Sequence, residues 1–244
     1  MKEKNYNLEL IRMISFIFVI VIHVSNYYCR AYGDITIGEY SFSLLLNLLA
    51  RISVPCFFMI TGALLLGRQE SLHKHAKRIF RFLIVLLVWS VIYMIWNAVY
   101  MEDPYQIKDL LYKPVEQHLW YLYAMIPIYL VLPFFQVMCK GMNLRMERAF
   151  LVVITAAVLF NYISTFFDEK MYYSVPMVGD RIYSYYVFIG YYIYKYRKHV
   201  MKEKMIPVGI FVVCMALNYG LTYAATLQDG EHSVSYTHLT LPTT

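Results

Sequence analysis

Seven apolar runs divide this chain, at residues 8–28, 41–66, 79–101, 119–138, 149–167, 182–194 and 205–227. A helix needs about 20 mainly apolar residues to cross a bilayer, and every run except the sixth is of that order. The runs are too long for the strands of a membrane barrel and lack the alternation such strands require. They predict an all-α, polytopic transmembrane helix bundle of about seven spans. The sixth run is short, so it either extends backwards through residues 172–179 or is re-entrant. Composition agrees. The 244 residues are 60% hydrophobic and only 16% charged, with a mean hydropathy of +0.48. A soluble domain is about 45–50% apolar and about 25% charged. A soluble enzyme, a disordered chain and a disulfide-stapled module are all disfavoured.

The charges orient these spans. With the N-terminus placed in the cytoplasm, fourteen Lys and Arg fall in inner segments and five in outer ones, while eleven acidic residues fall outside and five inside. That is the positive-inside pattern. It accounts for the net charge of +6 without nucleic acid, and no basic and aromatic residues interleave along a binding face. Cys29, Cys56, Cys139 and Cys214 are widely spaced, which argues against a metal site or a disulfide framework. The first run begins after Lys2 and Lys4 and is followed by no small-residue cleavage site, so it reads as a span rather than a signal peptide.

Charged residues inside a span are costly and usually face a cavity, a pore or a partner. Arg12 and His23 lie 11 residues apart in the first run, which puts them on one helix face, about 16 Å apart along the axis. They form either a polar track, with an anion-binding guanidinium below an acid–base imidazole, or a snorkelling Arg and a His bonded to a neighbouring helix. Arg51 sits in the middle of the second run, four residues before Pro55, and needs a partner or a water-filled cavity. Pro55 and Gly62 loosen this run, and Thr61–Gly62 also suits close helix packing. Lys77, Arg78 and Arg81 cluster where the third span leaves the cytoplasm. Arg78 and Arg81 share a face and suit a phosphate or carboxylate ligand, though flanking charge of this kind also serves topology alone. His118, Trp120 and Tyr121 open the fourth span at its outer side, and Pro127 and Pro133 predict a kink or a wider cavity beyond them.

Together these segments resemble the membrane acyltransferase 3 family, the acyl-CoA-dependent enzymes that O-acylate cell-envelope glycans. Asn7 to Arg12 followed by His23 is similar to the family's Arg-x10-His element. Val54-Pro55-Cys56-Phe57-Phe58-Met59-Ile60-Thr61-Gly62 resembles its Pro-x-Phe-Phe-x-x-Ser-Gly segment, with Thr61 for Ser. Lys77-Arg78-Ile79-Phe80-Arg81, His118-Leu119-Trp120-Tyr121 and Tyr186-Val187-Phe188-Ile189-Gly190 resemble three further segments in the family's order. The resemblance implies an integral, multi-pass protein of a bacterial plasma membrane that moves an acyl group, most often acetyl, from cytoplasmic acyl-CoA to a hydroxyl of an envelope polysaccharide or lipid-linked sugar. It implies that Arg12 and His23 are essential to transfer and that Arg78 and Arg81, with Lys77, engage the acyl-CoA. His118, Trp120, Tyr121 and Arg51 are then substrate contacts or supports, and no metal is required. A transporter or sensor on the same fold, binding a small anion, is the alternative.

Family members usually have about ten spans. Set beside them, residues 1–231 read as a membrane domain lacking its last helices, which admits an inactive fragment, and the polar residues 232–244 read as a tail foreign to the family.

Overall fold

The computed structural model describes residues 6–68, 70–101, 107, 110, 112–166, 182–200 and 205–229. Among these the regular structure is helical, the only β feature being an isolated bridge between Tyr32 and Ile35. The helices are α1 (Tyr6–Arg30), α2 (Ile37–Ala50), α3 (Ser53–Leu65), α4 (Leu72–Trp96), α5 (Trp120–Gly141), α6 (Leu144–Phe166), α7 (Tyr183–Lys195), α8 (Arg197–Val200) and α9 (Met205–Asp229). A π-helical turn, Asn97–Met101, continues α4, and a 3-10 turn, Gln117–Leu119, precedes α5.

Five segments among the described residues are long and apolar enough to cross a membrane: Tyr6–Arg30, Ile37–Leu65, Leu72–Met101, Gln117–Gly141 and Met205–Gln228. They coincide with the first four runs and the seventh. The sixth run forms a helix of 13 residues, too short to span alone, and α6 is not among the five. The expected count of about seven is therefore not confirmed among the described residues. Residues 172–179 and the tail 232–244 lie outside the described residues. The helix surfaces suit lipid. On α9 alone Ile206, Val208, Ile210, Val213, Leu217 and Leu221 are exposed, an apolar surface covering much of the helix circumference.

The chain divides into two compact units, one of Met1–Leu64 with Leu151–Thr244, the other Leu65–Phe150. In the first, Gly33 at φ 101° closes the turn after α1, a left-handed geometry that glycine adopts without a Cβ clash. Thr36 then starts α2 with a capping box. Its side chain accepts from the Glu39 amide, and the Glu39 carboxylate accepts from the Thr36 amide at 2.9 Å. Cys29, Tyr40, Leu44 and Leu48 form the core here, with Tyr219 and Tyr223 of α9 packed against it. The Tyr40 hydroxyl meets the Thr226 hydroxyl at 2.8 Å.

The second apolar run makes two helices rather than one. Pro55 has no amide proton for the Arg51 carbonyl and its ring crowds that turn. The break falls there, with Arg51 as the C-cap of α2 and α3 beginning at Ser53. Farther along α3, Gly62 lies against the Val187 backbone of α7, and Gly190 of α7 lies against Met59 of α3. A Cβ on either glycine would collide with main-chain atoms of the other helix. Phe58 and Tyr183 stack at 4.8 Å beside this crossing. Thr61–Gly62 thus serves close packing.

In the second unit α4 packs on α5. Gln136 of α5 donates to the Leu65 carbonyl at 2.8 Å, satisfying an orphan acceptor at the end of α3. Asn143 caps α6 by accepting from the Met146 amide at 2.9 Å.

Candidate functional site

On α1, Ser15, Ile22, Ser25 and Cys29 form the buried stripe. Arg12 and His23 share a face, as their spacing predicts, but that face is turned about 100° from the stripe. His23 is exposed there. Arg12 is half-exposed, and its Nη1 is 3.0 Å from both carboxylate oxygens of Glu9, one helical turn earlier. The guanidinium is thus paired within its own helix.

Arg51 finds its partners within its own unit. Its Nε donates to Asn47 Oδ1 at 2.9 Å, and Asn47 Nδ2 donates to Ser25 Oγ at 3.1 Å and to the Ile22 carbonyl at 3.4 Å. Ser25 in turn donates to the Val21 carbonyl at 2.6 Å. This chain of bonds carries a charge at the helix break onto the turn of α1 that bears His23, on the adjoining face. Asn47 and Ser25 were not singled out by sequence. The Asn47–Arg51 pair is visible as an i,i+4 polar spacing in an apolar run, whereas a lone Ser carries no such signal.

The cations of α4 form a pocket. Lys74, Lys77, Arg78 and Arg81 line it with Glu70, around a volume of about 240 Å³. Their spacing of three, four and seven residues puts all four on one side of the helix. Lys77 and Arg81 are exposed. Arg78 sits at the border with the buried face, where His75, Leu86 and Ser90 lie. Its Nη2 is 2.6 Å from the Glu70 carboxylate, and its guanidinium lies over the Tyr129 ring at 5.9 Å from the centroid. Its Nη1 is buried with no hydrogen-bond partner. An unsatisfied charged donor is expensive. A pocket of four cations, one carboxylate and a spare buried guanidinium nitrogen suits a polyanion. Lys74 was legible from its helical spacing. Glu70 was not, because it precedes α4 in a loop.

At the other end of α4 the side chains are aromatic. The exposed His118 meets the Tyr93 ring edge-on at 4.8 Å, and Tyr93 stacks with Trp89. Trp120 is buried and touches Tyr121 edge-on at 6.3 Å, so Trp120 is a core residue of the α5 start and His118 is the group presented outward. Asn97 of the π turn donates to Glu116 at 3.0 Å, holding the segment before His118 against α4.

A family model described as an acyltransferase domain matches residues 5–243. Neither a curated protein nor a solved structure matches the chain.

Proposed function

The chain belongs to the acyltransferase 3 family, and from that premise we propose that it is an integral membrane O-acyltransferase using cytoplasmic acyl-CoA. The observation that carries the donor assignment is the basic pocket of α4, with four cations and a buried guanidinium nitrogen left unpaired. Coenzyme A is a polyphosphate, and guanidinium groups bind phosphate through paired N–H donors while Lys supplies point charge. Lys74, Lys77, Arg78 and Arg81 hold the phosphates, and their charge selects donors that carry them. The pocket lies in a segment assigned to the cytoplasm by the distribution of Lys and Arg, the side on which acyl-CoA is made available.

His23 is the general base. Its imidazole takes the proton of an acceptor hydroxyl as that oxygen bonds to the acyl carbon. The carbon–sulfur bond breaks, and the departing thiolate of coenzyme A receives a proton from the imidazolium. The products are an ester and the free thiol, with no net proton released. A positioned base of this kind contributes roughly 10²–10⁴-fold. Arg12, set one face with His23 and held by Glu9, keeps a cation on the approach to that base. His118, set against Tyr93, which in turn stacks with Trp89, offers a hydrogen-bonding group beside aromatic rings, suited to a sugar. The acceptor in this reading is an envelope polysaccharide or a lipid-linked sugar.

The test is reconstitution of the full chain in proteoliposomes with acyl-labelled acyl-CoA outside and a lipid-linked sugar fraction as acceptor. Label appearing as an alkali-labile ester on the sugar is the expected result. Label accumulating in the lumen without ester formation overturns the reading in favour of transport. His23→Ala is expected to abolish ester formation while the protein remains in the membrane. Arg81→Ala is expected to raise KM for acyl-CoA about tenfold with a smaller change in kcat, as loss of a ground-state contact requires.

A further inference from the structure

His75 lies on α4 one turn before Arg78 and is buried. Its Nε2 is 2.6 Å from the main-chain carbonyl oxygen of Tyr129 on α5. A carbonyl only accepts, so Nε2 carries the proton. The acceptor is not an ordinary helical carbonyl. In an α-helix it would accept from the amide four residues on, and that residue is Pro133, inside α5. Proline has no amide proton. The Tyr129 carbonyl is thus deprived of its helical donor, and His75 provides one from another helix. The same Tyr129 presents its ring to Arg78 at 5.9 Å and to Phe82 at 4.8 Å. Residues 75, 78 and 82 follow the three- and four-residue steps of one helix side, so α4 closes on a single residue of α5 at the point where the proline has opened the backbone.

We propose that His75 is a positioning residue for the basic pocket, its bond to the proline-released carbonyl of Tyr129 fixing the ring on which Arg78 rests and so aiming that guanidinium into the pocket. Without the bond, the carbonyl loses the donor that α4 supplies, and the tie between the two helices at this point is gone. α4 then shifts on α5 to admit another donor, and Arg78 loses its seat. The link to acyl-CoA rests on the function proposed above, whereas the link between His75 and Arg78 does not.

The test uses the full chain in lipid nanodiscs and reads two quantities. One is the rate at which phenylglyoxal modifies Arg78, followed by mass spectrometry of its peptide. The other is affinity for coenzyme A. His75→Leu is expected to speed modification of Arg78 and weaken coenzyme A binding, each about tenfold, as befits loss of a buried hydrogen bond between two helices. His75→Gln places an amide N–H where Nε2 stood and should stay within about twofold of the parent, while His75→Asn falls short and should resemble His75→Leu. Pro133→Ala returns an amide proton to the carbonyl, so adding His75→Leu to that variant should change either readout less than about threefold. A His75→Leu chain that fails to accumulate should be recovered by Pro133→Ala. The proposal is overturned if His75→Leu leaves Arg78 as slow as in the parent, if Gln rescues no better than Asn, or if the Pro133→Ala background does not diminish the effect. If the parent binds no coenzyme A while the modification pattern holds, the acyl-CoA reading fails and the positioning role stands.

Discussion

Glu70 is the one carboxylate in a pocket of four cations, and it holds the Nη2 atom of Arg78 at 2.6 Å. Both side chains are largely withdrawn from solvent, 24% and 16% exposed, so the pair is less screened than a surface ion pair. An anionic ligand must either displace this carboxylate or add to what Arg78 still has free. Removing the charge without changing the shape should therefore favour the ligand. Glu70→Gln is expected to tighten coenzyme A binding about three- to tenfold at low salt, with the gain shrinking as ionic strength rises. Isothermal titration across a salt series checks it, and weaker binding in the variant would show Glu70 to be an organiser of Arg78 instead of a competitor. Arg12 offers a useful contrast. Its Glu9 partner lies on the same helix and both side chains are about half exposed, 42% and 52%, so little stability rests on that pair.

Among the elements, the α3–α7 crossing is the most demanding. Gly62 and Gly190 each admit the backbone of the other helix, and there is no flexible side chain to move aside. Gly62→Ala and Gly190→Ala should each lower stability by about 1–3 kcal/mol, the usual cost of forcing a methyl group into a packed contact. Thermal unfolding in detergent measures it, and the double variant should cost less than the sum if one separation of the helices relieves both clashes. At the head of α2, Thr36→Ala removes the capping box and should cost about 1 kcal/mol. Two of the family-like segments, the one ending in Thr61–Gly62 and the one ending in Gly190, thus meet each other. Their glycines serve packing in this structure. Each was readable as a small residue in an apolar helix, but their pairing was not, because nothing in either segment names its partner.

At the scale of the whole molecule, the apolar runs and the bias of Lys and Arg toward alternate loops predict an orientation with the N-terminus in the cytoplasm. Single cysteines placed in a cysteine-free chain at Lys74, Lys140 and Lys198 should react with an impermeant thiol reagent only from the cytoplasmic side, and one at Lys113 only from the outside. Labelling of right-side-out against inverted vesicles reads this directly. Reaction of the Lys74 position from outside would remove the basic pocket from the face where acyl-CoA is available and sink the donor assignment with it.

The local and periodic features of this protein were determined by its sequence. Apolar length dictated helices, because a backbone in lipid must satisfy its own hydrogen bonds. Helical spacing dictated that Arg12 and His23 share a face and that the cations of α4 do as well, since that depends only on 3.6 residues per turn. Pro55 marked where the second run would give way. Tertiary structure alone decided whatever needed two segments: that Asn47 links Arg51 to Ser25 and Ile22 on α1, that Glu70 folds back onto Arg78, that Gly62 and Gly190 meet main-chain atoms across one crossing, and that His75 answers the carbonyl left open by Pro133. Each is a bond or a contact between residues that no period connects. The chain states what each group lacks, a donor, a counter-charge or a side chain, and only packing determines which distant residue supplies it.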